Sequence, residues 1–270
     1  MNKKGAGRRL FFSNTTGGNM RFWAILWVCL FSSPALAIIN IEELRMDESE
    51  AGWQMSTTLN LSGQRGNIDE DKFALNGASQ WISDDLNRRY LLLLSSAVDR
   101  AEGFTYSEEY FAHVRRTRQL TENWGWELFA QYQKEPLNNS YRRELLGTNA
   151  RYRLQQTPFN GHAGMGIMYE RRSVTPLIEG RKQANDWRFN FYLDSVYPLS
   201  ENSEWAVGFY VQPRVDNMSD VRSIVNMGLT SRVTRLFSLT LDISFNNESN
   251  PLDGQSYSHW EYATGLNIRF

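Results

Sequence analysis

From Trp53 to Phe270 the side-chain pattern repeats every second residue, and this period restricts the chain to β-structure. The last segment shows it most clearly. Trp260, Tyr262, Thr264, Leu266, Ile268 and Phe270 share one face, and Glu261, Ala263, Gly265, Asn267 and Arg269 share the other. The same alternation sets Trp187, Phe189, Phe191 and Leu193 against Arg188, Asn190, Tyr192 and Asp194. It also sets Phe237, Leu239, Leu241, Ile243 and Phe245 against Ser238, Thr240, Asp242 and Ser244. Twelve segments follow this rule, over 52–64, 71–82, 88–98, 104–117, 123–134, 141–155, 159–171, 185–197, 204–215, 221–234, 236–246 and 257–270. Stretches of Gly, Pro, Asn, Asp and Ser separate them. The third is the weakest, because Tyr90 to Leu94 is apolar on both faces; without it the count falls to ten.

An all-β chain of this size folds either as a soluble sandwich or barrel, apolar inside, or as a transmembrane barrel, apolar outside. The polar faces sum to Glu109, His113, Arg115, Glu127, Arg143, Arg151, Glu170, Arg188, Asp194, Arg214, Arg222, Arg232, Glu261 and Arg269. Gly147, Gly164, Gly166, Gly208, Gly228 and Gly265 lie between them. Opposed charges with space-filling arginines suit a narrow lumen. Aromatics make up 13% of the chain, and the sequence places the outward ones at strand ends. Trp53, Trp81, Trp124, Trp126, Tyr152, Phe159, Tyr197, Trp205, Phe237 and Phe270 fall at one rim, and Phe73, Tyr132, Tyr169, Trp187 and Trp260 at the other. A double aromatic girdle belongs to an outer-membrane barrel; a soluble core puts its largest rings mid-strand. Links at the first rim are short and those at the second longer, the longest running from Arg172 to Ala184, which is the asymmetry of periplasmic turns and outer loops. These features predict one antiparallel transmembrane β-barrel of about twelve strands over 52–270, a monomer with both termini in the periplasm.

The first 37 residues hold Lys3, Lys4, Arg8, Arg9 and Arg21 without an acid, then an apolar run from Phe22 to Phe31, then Ala35-Leu36-Ala37. A basic start, a short apolar core and an Ala-x-Ala site are a secretory signal, here cleaved between Ala37 and Ile38. The apolar run is too short for the roughly 20 residues a membrane-spanning helix needs. Met20 offers an alternative start within the leader. Cleavage also removes Cys29, the only cysteine, so the exported chain needs no oxidation step. Residues 38–51 then form a periplasmic segment that can enter the barrel from below.

The ending in Phe270, with Tyr262, Leu266 and Ile268 on one face, resembles the signal read by the outer-membrane barrel assembly machinery. More broadly the chain resembles the bacterial family of salt-induced outer membrane proteins, a domain family of unknown function. The stretches that carry this are Ile39-Asn40-Ile41-Glu42, Ser62-Gly63 through Gly66-Asn67, His113-Val114-Arg115-Arg116, Gly161 to Tyr169, and Gly265-Leu266-Asn267-Ile268-Arg269-Phe270. The resemblance implies an outer-membrane barrel of a Gram-negative envelope, with a role in osmotic stress, and supplies no catalytic residue. The partners implied are outer-membrane lipid and lipopolysaccharide, and transiently the assembly machinery and periplasmic chaperones.

The 29 basic and 30 acidic residues nearly balance, which gives no electrostatic case for a nucleic-acid partner. His113, His162 and His259 stand in no metal-ligand spacing, and no cofactor is expected. Ser258-His259 is the one pair reminiscent of a barrel lipid hydrolase, but neighbours on a strand point to opposite faces. Asp47, Glu48 and Glu50 read as a solvated linker, and Asp69, Glu70 and Asp71 as a solvated loop tip or as carboxylates bridging divalent cations to lipopolysaccharide. Arg171, Arg172, Arg181 and Lys182 read as a solvated basic loop, or as a contact to anionic headgroups. Function stays between a non-enzymatic barrel with a side-chain-filled lumen, a small passive channel for ions or solutes, and a barrel-embedded hydrolase. The lumen residues singled out are Arg143, Arg151, Arg188, Asp194, Arg214, Arg222, Arg232, Glu261 and Arg269.

Overall fold

The structure, a computed structural model, describes residues 46–64, 70–135, 141–156, 159–174, 183–252 and 256–269. The expected leader with its expected cleavage site at Ala35, Ala37 and Ile38, the loop residues Asp69, Arg181 and Lys182, and Phe270 lie outside them.

Twelve strands form: β1 Gly52–Gln64, β2 Glu70–Ile82, β3 Arg88–Ala101, β4 Phe104–Gln119, β5 Trp124–Glu135, β6 Tyr141–Gln156, β7 Phe159–Ser173, β8 Gln183–Ser200, β9 Ser203–Pro213, β10 Val221–Arg232, β11 Phe237–Glu248 and β12 Ser258–Arg269. Each pairs antiparallel with its sequence neighbours, and β12 returns to β1 to close the barrel through Ser56↔Arg269 to Leu59↔Leu266. Closure abolishes both sheet edges, which a β-structure surrounded by lipid requires. The twelve alternating sequence segments are therefore twelve strands, with boundaries displaced by no more than three residues.

Two connections show how local chemistry sets the register. Between β3 and β4 the chain turns on Glu102 (φ 51°) and Gly103 (φ 80°). Positive φ at both central residues is the type I′ turn, whose twist matches that of the flanking strands. Between β2 and β3, Leu86 takes φ 56° while the Asp85 carboxylate accepts bonds from the Ser83 hydroxyl, the Asn87 amide and its side chain. Those bonds, the Ser83 hydroxyl first, hold the exposed Asp85 carboxyl at about 2.

The alternation fixes which face is which. Along β8 the buried residues are Ala184, Asp186, Arg188, Asn190, Tyr192 and Asp194, whereas Trp187, Phe191 and Leu193 are exposed. Arg188 is 0% exposed and Trp187 55%. The same inversion surrounds the barrel: Trp53, Leu61, Leu92, Leu94, Leu146, Leu239 and Trp260 face outward. So large a continuous apolar exterior is incompatible with water. It is the arrangement of an outer-membrane β-barrel, with a polar interior and an apolar band.

β3 is a strand despite having apolar residues on both faces, because its inner face meets an apolar patch inside the barrel. Leu91 and Leu93 pack there with Ala78, Phe111 and Met46. Met46 comes from the segment before β1, so the chain enters the lumen and then turns out of it at Gly52, whose φ of 102° L side chains rarely adopt. A second internal cluster joins Phe129, Leu145 and Met168. The end of the barrel that holds Gly52 and Arg269 is called the terminal end below, and the opposite end the far end.

Candidate functional site in the barrel lumen

Lateral position in the sheet and inward parity bring distant arginines together at the far end. Glu170, on β7 and fully buried, is the hub. Its Oε1 takes Arg143 Nε from β6 and Arg222 Nη1 from β10. Its Oε2 takes Arg188 Nε from β8 at 2.9 Å, with Arg172 Nε at 3.4 Å. These guanidinium groups continue outward. Arg172 reaches Asp186 at 3.0 Å and also Glu248, Arg222 reaches Glu248 at 3.0 Å, and Arg188 reaches Asp220 at 2.8 Å. Arg214 closes the rim on Asp216 at 2.6 Å and on Asp220 at 3.4 Å. Five arginines thus face five carboxylates, so the cluster is neutral overall.

The rim groups respond to this field. Burial opposes ionisation of Asp220, but bonds from Asn250 and Arg188 hold its carboxyl below the usual range. The Arg214 guanidinium does the same for Asp216, and the reciprocal bond raises Arg214. An apolar cap lies over the cluster, where Leu252, 1% exposed, packs with Val174 and Ala184 against Tyr141. Leu252 belongs to the link between β11 and β12.

A second ionic group lies nearer the terminal end. Glu127, fully buried, accepts the Tyr192 hydroxyl at 2.9 Å and Asn149 Nδ2 at 3.1 Å, with Arg115 and Arg151 each at 3.6 Å. Glu48 from the entering segment binds Arg89 at 2.5 Å and Arg151 at 2.7 Å, with His162 at 3.6 Å. Burial opposes ionisation of Glu48, but Arg151, Arg89 and His162 together hold its carboxyl well below the ordinary range. Asp194 holds His162 through the backbone amide at 3.0 Å. Amides join the two groups: Asn190 donates to Asn149 at 3.1 Å, Gln212 donates to Asn190 at 2.9 Å, and Arg143 donates to Gln212 at 3.2 Å.

The glycines of β7 create the space for this packing. A Cβ on Gly164 would stand 1.9 Å from the Tyr192 ring, and one on Gly166 2.4 Å from Asn149 Oδ1. Separate cavities remain. One of about 790 Å³ opens at the terminal end, bounded by Glu48, Arg151, His162, Asn160, Asp194 and Arg269. Another, of about 120 Å³, lies around His113, Gln131 and Asn226 and shares no lining residue with the first.

Of the nine lumen residues singled out in the sequence, Arg143, Arg151, Arg188, Asp194 and Arg222 are buried in the interior. Arg214 sits at the far rim, and Arg232 and Arg269 are exposed at the mouth of the terminal cavity. The side chain of Glu261 lies outside the described residues. Of the assembly-signal residues, Leu266 is exposed and Tyr262 and Ile268 half-buried. Sequence reasoning misplaced Arg172: it was read as part of a solvated loop, but β7 extends to Ser173 and Arg172 is fully buried on three carboxylates. Its even parity with Glu170 was the available signal. Arg171, one residue earlier, is exposed beside Glu144. Ser258 and His259 are both exposed, and the Ser258 hydroxyl accepts from Asn247. Among the described residues no three acidic, His or Cys side chains are placed to hold a metal.

Residues 57–270 match the family described as "Protein of unknown function, DUF481", and the chain belongs to it. No curated protein matches the chain. Among solved structures it is similar to the NanC porin, with 9% identity over 80% of this chain and 100% of that one and a TM-score of 0.46. It is similar to the translocator domain of the autotransporter NalP from Neisseria meningitidis, with 8% identity over 84% and 92% and a TM-score of 0.46. It is also similar to the anion-selective porin from Comamonas acidovorans, with 7% identity over 82% and 100% and a TM-score of 0.39.

Proposed function

We propose that this member of the family is a non-enzymatic barrel of the bacterial outer membrane, exported by a signal over residues 1–37, whose lumen is a brace rather than an open path. The observation that carries this reading is the far-end hub. Glu170 and its four arginines span the interior from β6 to β10, and none of the five is more than 6% exposed. Twelve strands enclose less space than the 16–18 of water-filled porins, so five such side chains occupy much of the section. Links of residues 83–87, 120–123, 157–158, 201–202 and 233–236 at the terminal end are shorter as a group than 65–69, 102–103, 136–140, 174–182, 214–220 and 249–257 at the far end, although 102–103 is a two-residue turn. That asymmetry supports a periplasmic terminal end, a far end toward the medium, and an outward band bounded by aromatic rims. The resemblance to salt-induced outer membrane proteins adds a role in envelope integrity under osmotic stress.

The second reading, a small passive channel, is favoured by the terminal cavity of about 790 Å³. Single-channel recording in planar bilayers separates the two, with wild type beside Arg188→Ala and Arg222→Ala. The brace predicts no discrete openings from wild type. Discrete wild-type openings whose size changes in either variant would establish the channel instead. Phospholipid hydrolysis abolished by His259→Ala would overturn both readings.

A further inference from the structure

Three arginines share one outward patch at the terminal end. Arg88 on β3 stands directly opposite Arg118 on β4, and Arg116 stands opposite Tyr90, the next outward pair along the ladder. All three are exposed, while the alternating residues Arg89, Arg115 and Thr117 are buried in the lumen. Like charges directly opposite in a ladder destabilise it. None of the three forms an ion pair among the described residues. Asp85 in the adjoining turn feels Arg88, but it spends its carboxylate on Ser83 and Asn87.

The aromatic neighbours set the depth of this patch. The Arg116 guanidinium lies 5.9 Å from the centre of the Tyr90 ring, and Tyr90 packs on Trp81 at 5.8 Å. Trp126 stands opposite Arg118, with its indole N–H fixed on the Thr148 hydroxyl at 2.7 Å. Exposed Trp and Tyr of a membrane barrel sit at the headgroup level, so the guanidinium groups sit there too. At the far end Lys134 likewise stands opposite Arg142, but the cations there lie beside acids: Arg171 has Glu144 at 4.0 Å, and Lys134 lies over Tyr110, which is bonded to Glu108.

We propose that Arg88, Arg116 and Arg118 form a binding site for an anionic glycerophospholipid carrying two phosphates. Guanidinium forks bind phosphate oxygens in pairs, and two phosphates meet the opposed Arg88–Arg118 pair and Arg116 together. This inference rests on the membrane reading above.

The test is native mass spectrometry of the full-length mature protein released from detergent. Cardiolipin is titrated against wild type, against Arg88→Gln/Arg116→Gln/Arg118→Gln, and against a control, Lys134→Gln/Arg142→Gln/Arg171→Gln. Phosphatidylethanolamine, lipopolysaccharide and inorganic phosphate are added in separate arms. Each preparation is first checked for insertion into vesicles and for a heat-dependent gel shift. The expected result is cardiolipin binding weakened about tenfold or more in the first variant and unchanged in the control. Equal binding by an inserted first variant, equal weakening in the control, or a wild-type preference for lipopolysaccharide or free phosphate would overturn the site and leave the membrane reading standing. A wild type that stays soluble without detergent would overturn both.

Discussion

Glu170→Gln keeps the shape of the hub and removes one buried charge. Arg172, Arg188 and Arg222 retain Asp186, Asp220 or Glu248 as partners. Arg143 does not, because Glu170 is its one carboxylate among the described residues and only Gln212 remains. One buried guanidinium is therefore left without a counter-charge. Removing one partner of a buried pair costs about 3–5 kcal/mol, much of it the charge left behind. The remaining carboxylates place the expected loss near the lower bound, about 3 kcal/mol, or a roughly 100-fold drop in the folded-to-unfolded ratio. Urea unfolding in lipid vesicles, read by tryptophan fluorescence and by gel shift, measures it. Adding Arg143→Met removes that uncompensated charge, and the double variant should be more stable than the two single losses added together by about 1–3 kcal/mol. A loss below about 0.5 kcal/mol for Glu170→Gln, or strict additivity in the double variant, would refute the idea that a matched ionic cluster holds the far end.

Leu241→Arg puts a charge on the lipid face near mid-strand and should cost roughly 2–4 kcal/mol, whereas Thr240→Arg faces the lumen and escapes that lipid-burial cost; vesicle unfolding compares the two. Because its folded pKa is depressed, Glu48 stabilises the entering segment above the ordinary carboxylate range, and that contribution is lost as pH falls through the folded value. The stability gap between wild type and Glu48→Gln should therefore be widest at neutral pH and shrink on acidification; a gap independent of pH sinks the assignment. Gly164→Ala drives a methyl into the Tyr192 ring and should cost about 1–3 kcal/mol, measured by the same vesicle unfolding; an unchanged midpoint would refute the close packing.

The sequence made the fold legible because period two is a local property repeated twelve times, and each copy independently reports strand and face. It made the lumen legible only as a set of inward parities. Which arginine meets which acid depends on the stagger between strands and on chords across the barrel, as when Arg222 on β10 reaches Glu170 on β7. No spacing along the chain encodes that contact. Arg172 was missed because a basic run beside a loop reads as solvated, although its parity with Glu170 pointed inward. Met46 was invisible for a different reason: its apolar partners Leu91 and Leu93 look like a flaw in the β3 alternation until the segment that covers them is placed. Glu48 acquires its role in the same way, from the chain entering the lumen rather than from any motif.

The polarity of the barrel's interior then has an explanation that does not require water to flow through it. Strands apolar on both faces, repeated twelve times, would give an unfolded chain apolar throughout and prone to aggregate before any barrel formed. Alternation lessens this, so half of every strand is polar before the barrel exists. Once the barrel closes, those polar groups lose their water, and each must find a partner or carry a desolvation penalty of several kcal/mol per ion. Opposed charges in equal number are the arrangement that meets both conditions, and the far end has it in five arginines against five carboxylates. Where the alternation lapses, at Leu91 and Leu93, the same logic holds in reverse. An apolar inner face needs an apolar cover, and the segment before β1 supplies it as Met46 while carrying Glu48 to Arg89 and Arg151.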